Sequence, residues 1–151
     1  MKKLIFVSIL FALFIMGCSE KADDSGIVEI RENMFITQIN DINLNYRSYL
    51  GRTIKLEGFF KHNFWEEYNW FYVIRNAPGC CGDDGEVGFE VSWNADYLNP
   101  EAEQRGYPNP DEWVEAIGEL KSYNFLGTNH IYLALSELNV LETRGAEFVT
   151  R

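Results

Sequence analysis

The chain has 151 residues, 46% of them apolar, with 11 Phe, 8 Tyr and 4 Trp, a composition that supports a packed core and excludes wholesale disorder. It carries 13 Lys+Arg against 23 Asp+Glu, a formal net charge of −10. An acidic surface of this kind repels phosphate backbones, so nucleic acid is not an expected partner, and the length fits a single domain.

Met1-Lys2-Lys3 precedes an apolar run from Leu4 to Met16 broken only by Ser8, the charged and hydrophobic regions of an export signal. The run is too short to span a bilayer as a helix, which takes about 20 residues. Ile15-Met16-Gly17-Cys18 closes it with a branched residue three before the cysteine, a small residue next to it and polar Ser19-Glu20 beyond. This segment resembles a bacterial lipobox. The resemblance implies cleavage before Cys18, a diacylglyceryl thioether on that residue, and acylation of the new N terminus by a palmitate-type chain. Two or three acyl chains, each contributing about 0.8 kcal/mol per buried CH₂, hold a protein on a membrane without a transmembrane helix. Residues 19–29, rich in Ser, Lys, Asp and Gly, read as a flexible tether. The expected organisation is a signal peptide at 1–17, a lipid anchor and tether at 18–32, and a folded domain at 33–151. Loss of residues 1–17 removes two lysines and no acid, leaving 11 Lys+Arg against 23 Asp+Glu and a net charge of −12.

Met34 to Ile39 is a strand candidate. Asn43 to Leu50 reads as a short helix, with Asn43 as its cap, apolar Leu44, Tyr46 and Leu50, and Gly51 as its C-terminal stop. From Thr53 onward the period becomes two. Ile54, Leu56 and Phe60 alternate with Lys55 and Glu57; Trp70, Tyr72 and Ile74 with Phe71, Val73 and Arg75; Val87, Phe89, Val91 and Trp93 with Glu86, Gly88, Glu90 and Ser92. Trp113 to Tyr123 places Val114, Ala116 and Leu120 opposite Glu115, Glu119 and Lys121, and Ile131, Leu133 and Leu135 begin another strand. The phase slips between Leu135 and Leu138, where a bulge or a helical turn would return Leu138 and Val140 to the core side.

Gly58 and Gly118 interrupt strand patterns, and such glycines let a small sheet coil and close. The expected fold is therefore all-β: a small OB-like antiparallel barrel with one short helix, the alternative being a small β-sandwich. The connection 94–111, with Pro100, Pro108 and Pro110, is longer than compact loops usually are and reads as decoration or a lid, with one helical turn near Asn99 to Glu103.

With Cys18 assigned to lipid, Cys80 and Cys81 are the remaining thiols, adjacent in Ala77-Pro78-Gly79-Cys80-Cys81-Gly82-Asp83-Asp84-Gly85. Three readings stand. The thiolates, with Asp83, Asp84 or His62, would suit Zn²⁺ or another soft metal ion, although zinc ligands are ordinarily spaced C-x₂₋₄-C. They would alternatively close a vicinal disulfide with redox activity, or simply pack a loop as small buried residues. His62 and His130 each adjoin a turn and read as exposed loop residues or, together, as a shared site. Glu66-Glu67 and Asp83-Asp84 lack the alternating ligands of a calcium loop. Trp65, Trp70, Trp93 and Trp113, with the tyrosines, supply either a stacking platform or core and rim. No serine-hydrolase, zinc-protease or phosphate-loop signature is present.

Tyr49-Leu50-Gly51-Arg52-Thr53-Ile54-Lys55-Leu56-Glu57-Gly58, Phe71-Tyr72-Val73-Ile74-Arg75 leading to Cys80-Cys81, and Trp113-Val114-Glu115-Ala116-Ile117-Gly118-Glu119-Leu120 follow one another in the order of an uncharacterised bacterial family. Over about residues 33–141 the chain resembles the C-terminal OB-like domain of that family, described as two-component permease subunits with a paired-cysteine motif. The family has N-terminal transmembrane helices where this chain has its lipobox-like segment. The resemblance implies a membrane-associated extracytoplasmic barrel working beside a multi-helix permease. The expected function is a lipid-anchored binding or assembly module, not an enzyme, related to metal ions through Cys80, Cys81 and Asp83; the alternative is a thiol-disulfide redox protein using the vicinal pair.

Overall fold

The computed structural model of the protein describes residues 26–65, 68–79, 84–93 and 106–150. Strand β1 (Ile27–Glu29) leads through a 3₁₀ turn (Glu32–Met34) into helix α1 (Phe35–Leu44) and a one-turn helix α2 (Tyr46–Tyr49). Five longer strands follow: β2 (Thr53–Trp65), β3 (Tyr68–Pro78), β4 (Asp84–Ser92), β5 (Trp113–Phe125) and β6 (Thr128–Val140).

The sheet runs β1-β2-β3-β4-β6-β5 and closes through β2–β5. It is a five-stranded OB-like barrel, not a sandwich. Closure is mixed, not wholly antiparallel as expected: β4 runs parallel to β6 over Glu90–Ser92 against Tyr132–Ala134. The Greek-key order of an OB barrel brings its third and fifth strands together in the same direction, and alternation along one strand carries no information about that partner. Strand β2 serves three neighbours, pairing with β1 over Thr53–Lys55, with β5 from Thr53 to Phe59 and with β3 from Phe59 to Trp65. Gly58 sits at that hinge, where a Cβ would come to 2.4 Å from the Ile74 carbonyl oxygen. Gly118 allows a similar close approach on β5, where a Cβ would come to 2.7 Å from the Ala134 carbonyl oxygen. The expected irregularity in β6 is a bulge: Ile117 pairs with Glu137 but Gly118 with Leu135, so Ser136 is the extra residue. Leu138 returns to pack on the core, whereas Val140 stays exposed.

The barrel interior holds Ile54, Leu56, Phe60, Phe71, Val73, Phe89, Val91, Val114, Ala116, Leu120 and Leu133. On β3 this means that Phe71 and Val73 point inward while Trp70 and Tyr72 point away, a choice that two equally apolar alternating sets leave undecided.

The segment before β2 departs most from expectation. Residues 34–39 are not a strand, and Asn43 does not cap a helix. Helix α1 begins at Phe35 and buries Phe35, Ile39 and Ile42 against the barrel end, an i, i+4, i+7 stripe. Asn43 lies in its last turn, donating from Nδ2 to the Ile39 carbonyl at 2.9 Å, and Leu44 is exposed. Gly51 does stop the helical run, with φ of 80°. Residues 27–30, assigned to the tether on composition, join the fold: Ile27–Glu29 pair with Thr53–Lys55, and Ile30 is buried. No helix among the described residues is long and apolar enough to cross a membrane.

The C-terminal tail covers the same end. Asn76 exchanges backbone hydrogen bonds with Glu147 and Val149 at 3.0 and 2.8 Å, and Val149 enters the core. Under the tail Arg75 is 2% exposed. Its Nε donates to the Glu57 carbonyl at 2.8 Å, and its Nη1 donates to Glu32 Oε2 at 3.1 Å and the Ala146 carbonyl at 3.2 Å. The guanidinium lies against the rings of Phe35 and Trp113, 4.8 and 4.9 Å from their centroids.

Candidate functional site on the outer face of the barrel

The residues that β3 and β4 turn outward form a stripe with two different ends. Near the tail, Ile74 is buried with Phe59 and Trp113, and Leu141 packs over them. At the far end Trp70 meets Phe125 edge to face at 5.5 Å and Tyr68 at 5.6 Å. Between them one register row crosses the whole barrel, Lys61–Tyr72–Glu90–Tyr132–Lys121, with Glu90 at its centre.

Glu90 points outward yet is only 8% exposed. Tyr72 and Tyr132 flank it on the neighbouring strands, and the Tyr123 hydroxyl lies 3.0 and 2.8 Å from its two carboxylate oxygens. Tyr123 in turn stacks on His130, with ring centroids 5.3 Å apart, and accepts a long hydrogen bond from Trp70 Nε1 at 3.4 Å. The carboxylate thus has a neutral phenol as its donor, and no ion pair joins it to any described lysine or arginine. Burial pushes its pKa from 4.5 up to about 7, a rise that the Tyr123 hydrogen bond partly opposes. Burial, reinforced by the charge of Glu90, pushes Tyr72 to about 12 and also moves Tyr123 well upward.

The row opens into a cleft of ≈ 490 Å³, whose walls include Asn63, Tyr72, Glu86, Glu90, Asn129 and His130. It exists because β4 and β6 pair only from Glu90 and Tyr132 onward, so their earlier residues diverge. Lys61 also borders it, but its ammonium is ion-paired with Asp111 and its strand is separated from β4 by β3. OB barrels use the outer face of their second and third strands for ligands, and here those strands are β3 and β4.

Of the candidate residues read from the sequence, His130 lines this cleft. Cys18, Cys80, Cys81 and Asp83 lie outside the described residues, as do Glu66-Glu67 and residues 99–103. The two histidines are not brought together. His62 follows the inward parity of Phe60, stacks on Phe71 at 4.7 Å and bonds through Nε2 to Asn69 Oδ1 at 2.8 Å, whereas His130 belongs to the outer cleft. The tryptophans divide: Trp113 is buried, and Trp70 belongs to an outer aromatic patch. From the 94–111 connection, Tyr107 stacks on Phe71 at 3.8 Å and accepts a hydrogen bond from the Trp93 amide at 3.1 Å. Among the described residues no three His, Cys, Asp or Glu are grouped to hold a metal ion. In the sequence nothing distinguishes Glu90, because its alternation with Phe89 and Val91 is that of any solvent-facing residue. The usable signal was on the partner strand, where Trp70 and Tyr72 share one parity.

Fold and cleft together define an OB-like barrel domain with a ligand-sized recess on its outer face. The chain belongs to the uncharacterised family of the DUF1980 C-terminal domain, whose model matches residues 16–149. No curated protein matches the chain.

Proposed function

We propose that the protein is a lipid-anchored, extracytoplasmic binding module that presents the β3–β4 face of its barrel to a ligand. The observation that carries this reading is Glu90, a carboxylate held almost out of water beneath tyrosines at the edge of a cleft. Such a group costs stability and contributes nothing to core packing, which fits a residue whose role lies in what it meets. Attachment through Cys18 would hold the barrel at the membrane surface, where a multi-helix permease is the proposed partner. Cys80, Cys81 and Asp83 are proposed as a soft-ligand loop on the same module. They offer three of the four donors that Zn²⁺ takes, and a vicinal disulfide is the competing state.

The reading is tested on the full chain. Feeding cells an alkyne-tagged palmitate analogue should label the protein, and Cys18→Ser should abolish the label. A panel of small solutes titrated against the isotope-labelled protein in non-ionic detergent should then move amide resonances of β3 and β4. An unlabelled chain would remove the anchor from the reading, and a face that no solute perturbs would remove the binding role. Thiol counting with elemental analysis separates the states of the cysteine pair: two free thiols with stoichiometric metal support ion handling, and no free thiols without metal overturn it.

A further inference from the structure

We propose that the β3–β4 cleft selects an organic ammonium ion, a ligand with a primary amine head that meets Glu90 and a short carbon chain that lies along Tyr72 and His130. This rests on the binding-module reading and names the ligand class.

The charge of the cleft sets the sign. Glu90 and Glu86 both face it from β4, and Asn63 and Asn129 add amide groups. The groups facing Glu90 are Tyr72 from β3, Tyr123 from β5, and Tyr132 and His130 from β6. Lys61 on β2 and Lys121 on β5 end the same register row, each two strands and roughly 10 Å away at sheet spacing; the Lys61 ammonium is committed to Asp111 and that of Lys121 lies 3.7 Å from Glu119. An anion would therefore meet an uncompensated carboxylate. A cation entering beside Glu90 supplies the counter-charge that the fold withholds, and a buried carboxylate is destabilised for want of one.

Chemistry narrows the cation. A bare divalent metal wants several oxygen, nitrogen or sulfur donors around it, and the described residues supply no such group. A primary ammonium needs only three acceptors, which a carboxylate, an amide oxygen and a phenol oxygen provide. Its methylenes and its charge are both accommodated by the face of an aromatic ring. Tyr72 stands next to Glu90 in register, and His130 is held in place by stacking on Tyr123.

The test uses the full chain in non-ionic detergent, with n-butylammonium as probe and butan-1-ol as its uncharged counterpart, followed by NMR titration at constant ionic strength. The ammonium should bind at least about tenfold more tightly than the alcohol at pH 8, with shifts centred on Tyr72, Glu90 and His130. Because n-butylammonium stays charged from pH 5 to pH 9, its affinity should fall by up to about tenfold per pH unit below the Glu90 pKa. Glu90→Gln should weaken it by about tenfold or more and flatten the pH profile. The wild-type pH profile serves as the test should that variant not fold. Equal binding of amine and alcohol at this face would overturn the ammonium assignment while leaving the binding module standing. So would an amine affinity unchanged by Glu90→Gln or by pH. A face that neither these probes nor the wider solute panel perturbs would overturn both.

Discussion

Among the described residues two charged side chains are buried, Arg75 and Glu90, and they are treated in opposite ways. Arg75, under the C-terminal tail, has two carboxylates, two carbonyls and two aromatic faces around it. Glu90, on the outer face, has one phenol. The first arrangement is complete: a guanidinium makes several fixed donations at once, and each joins a different part of the chain to the barrel end. The second is unfinished, because an anion with a neutral partner remains undercompensated. A completed site holds a fold together, and an unfinished one on an open cleft has capacity left for something from outside.

Removing the completed site should have the largest effect. Arg75→Ala leaves the Glu57 and Ala146 carbonyls without their donor and a void between Phe35 and Trp113, so chemical denaturation should show a loss of about 3–5 kcal/mol. Arg75→Lys should recover little, since one ammonium does not reproduce the spread of a guanidinium. A loss below about 1 kcal/mol would show that the tail and α1 dock without it.

Neutralising the unfinished site should stabilise the fold. The folded pKa of Glu90 is raised from 4.5 to about 7, so its unfavourable contribution is absent below pH 4.5, grows as pH rises through that window and is complete above pH 7. Glu90→Gln should therefore gain about 2–3 kcal/mol over wild type at pH 8, and the gap should close below pH 4.5. Denaturation across pH measures this, and a variant less stable than wild type at pH 8 would show that the carboxylate is compensated after all.

The smallest effect sharpens the contrast. Tyr123→Phe removes the single hydrogen bond that lowers the Glu90 pKa, so the carboxylate should titrate at higher pH, as read by its side-chain carbon shift in NMR. Stability should fall by about 1 kcal/mol at pH 5, where Glu90 is protonated, and by about 2 kcal/mol at pH 8, where the lost bond was to a charge. An unmoved Glu90 titration would mean that burial alone sets it.

What the sequence determined is the local grammar of the barrel. Period-two alternation located β2 to β6, the slip after Leu135 marked the bulge at Ser136, and Gly58 and Gly118 marked the points where backbones nearly touch, because each is a statement about neighbouring residues on one strand. The stretch before Gly51 was less legible. Phe35, Ile39 and Ile42 become a helical stripe only when a barrel end is there to receive them, and Met34 to Ile39 alone suits a strand equally well. Tertiary structure alone decided the parallel contact between β4 and β6, the outward turn of Trp70 and Tyr72, and the separation of His62 from His130. It also made Glu90 unusual. In the chain that residue is one polar position among four on its strand. Its burial comes from Tyr72, Tyr123 and Tyr132, which arrive from three other strands, and no local pattern records which of many outward residues the closing of a barrel will surround.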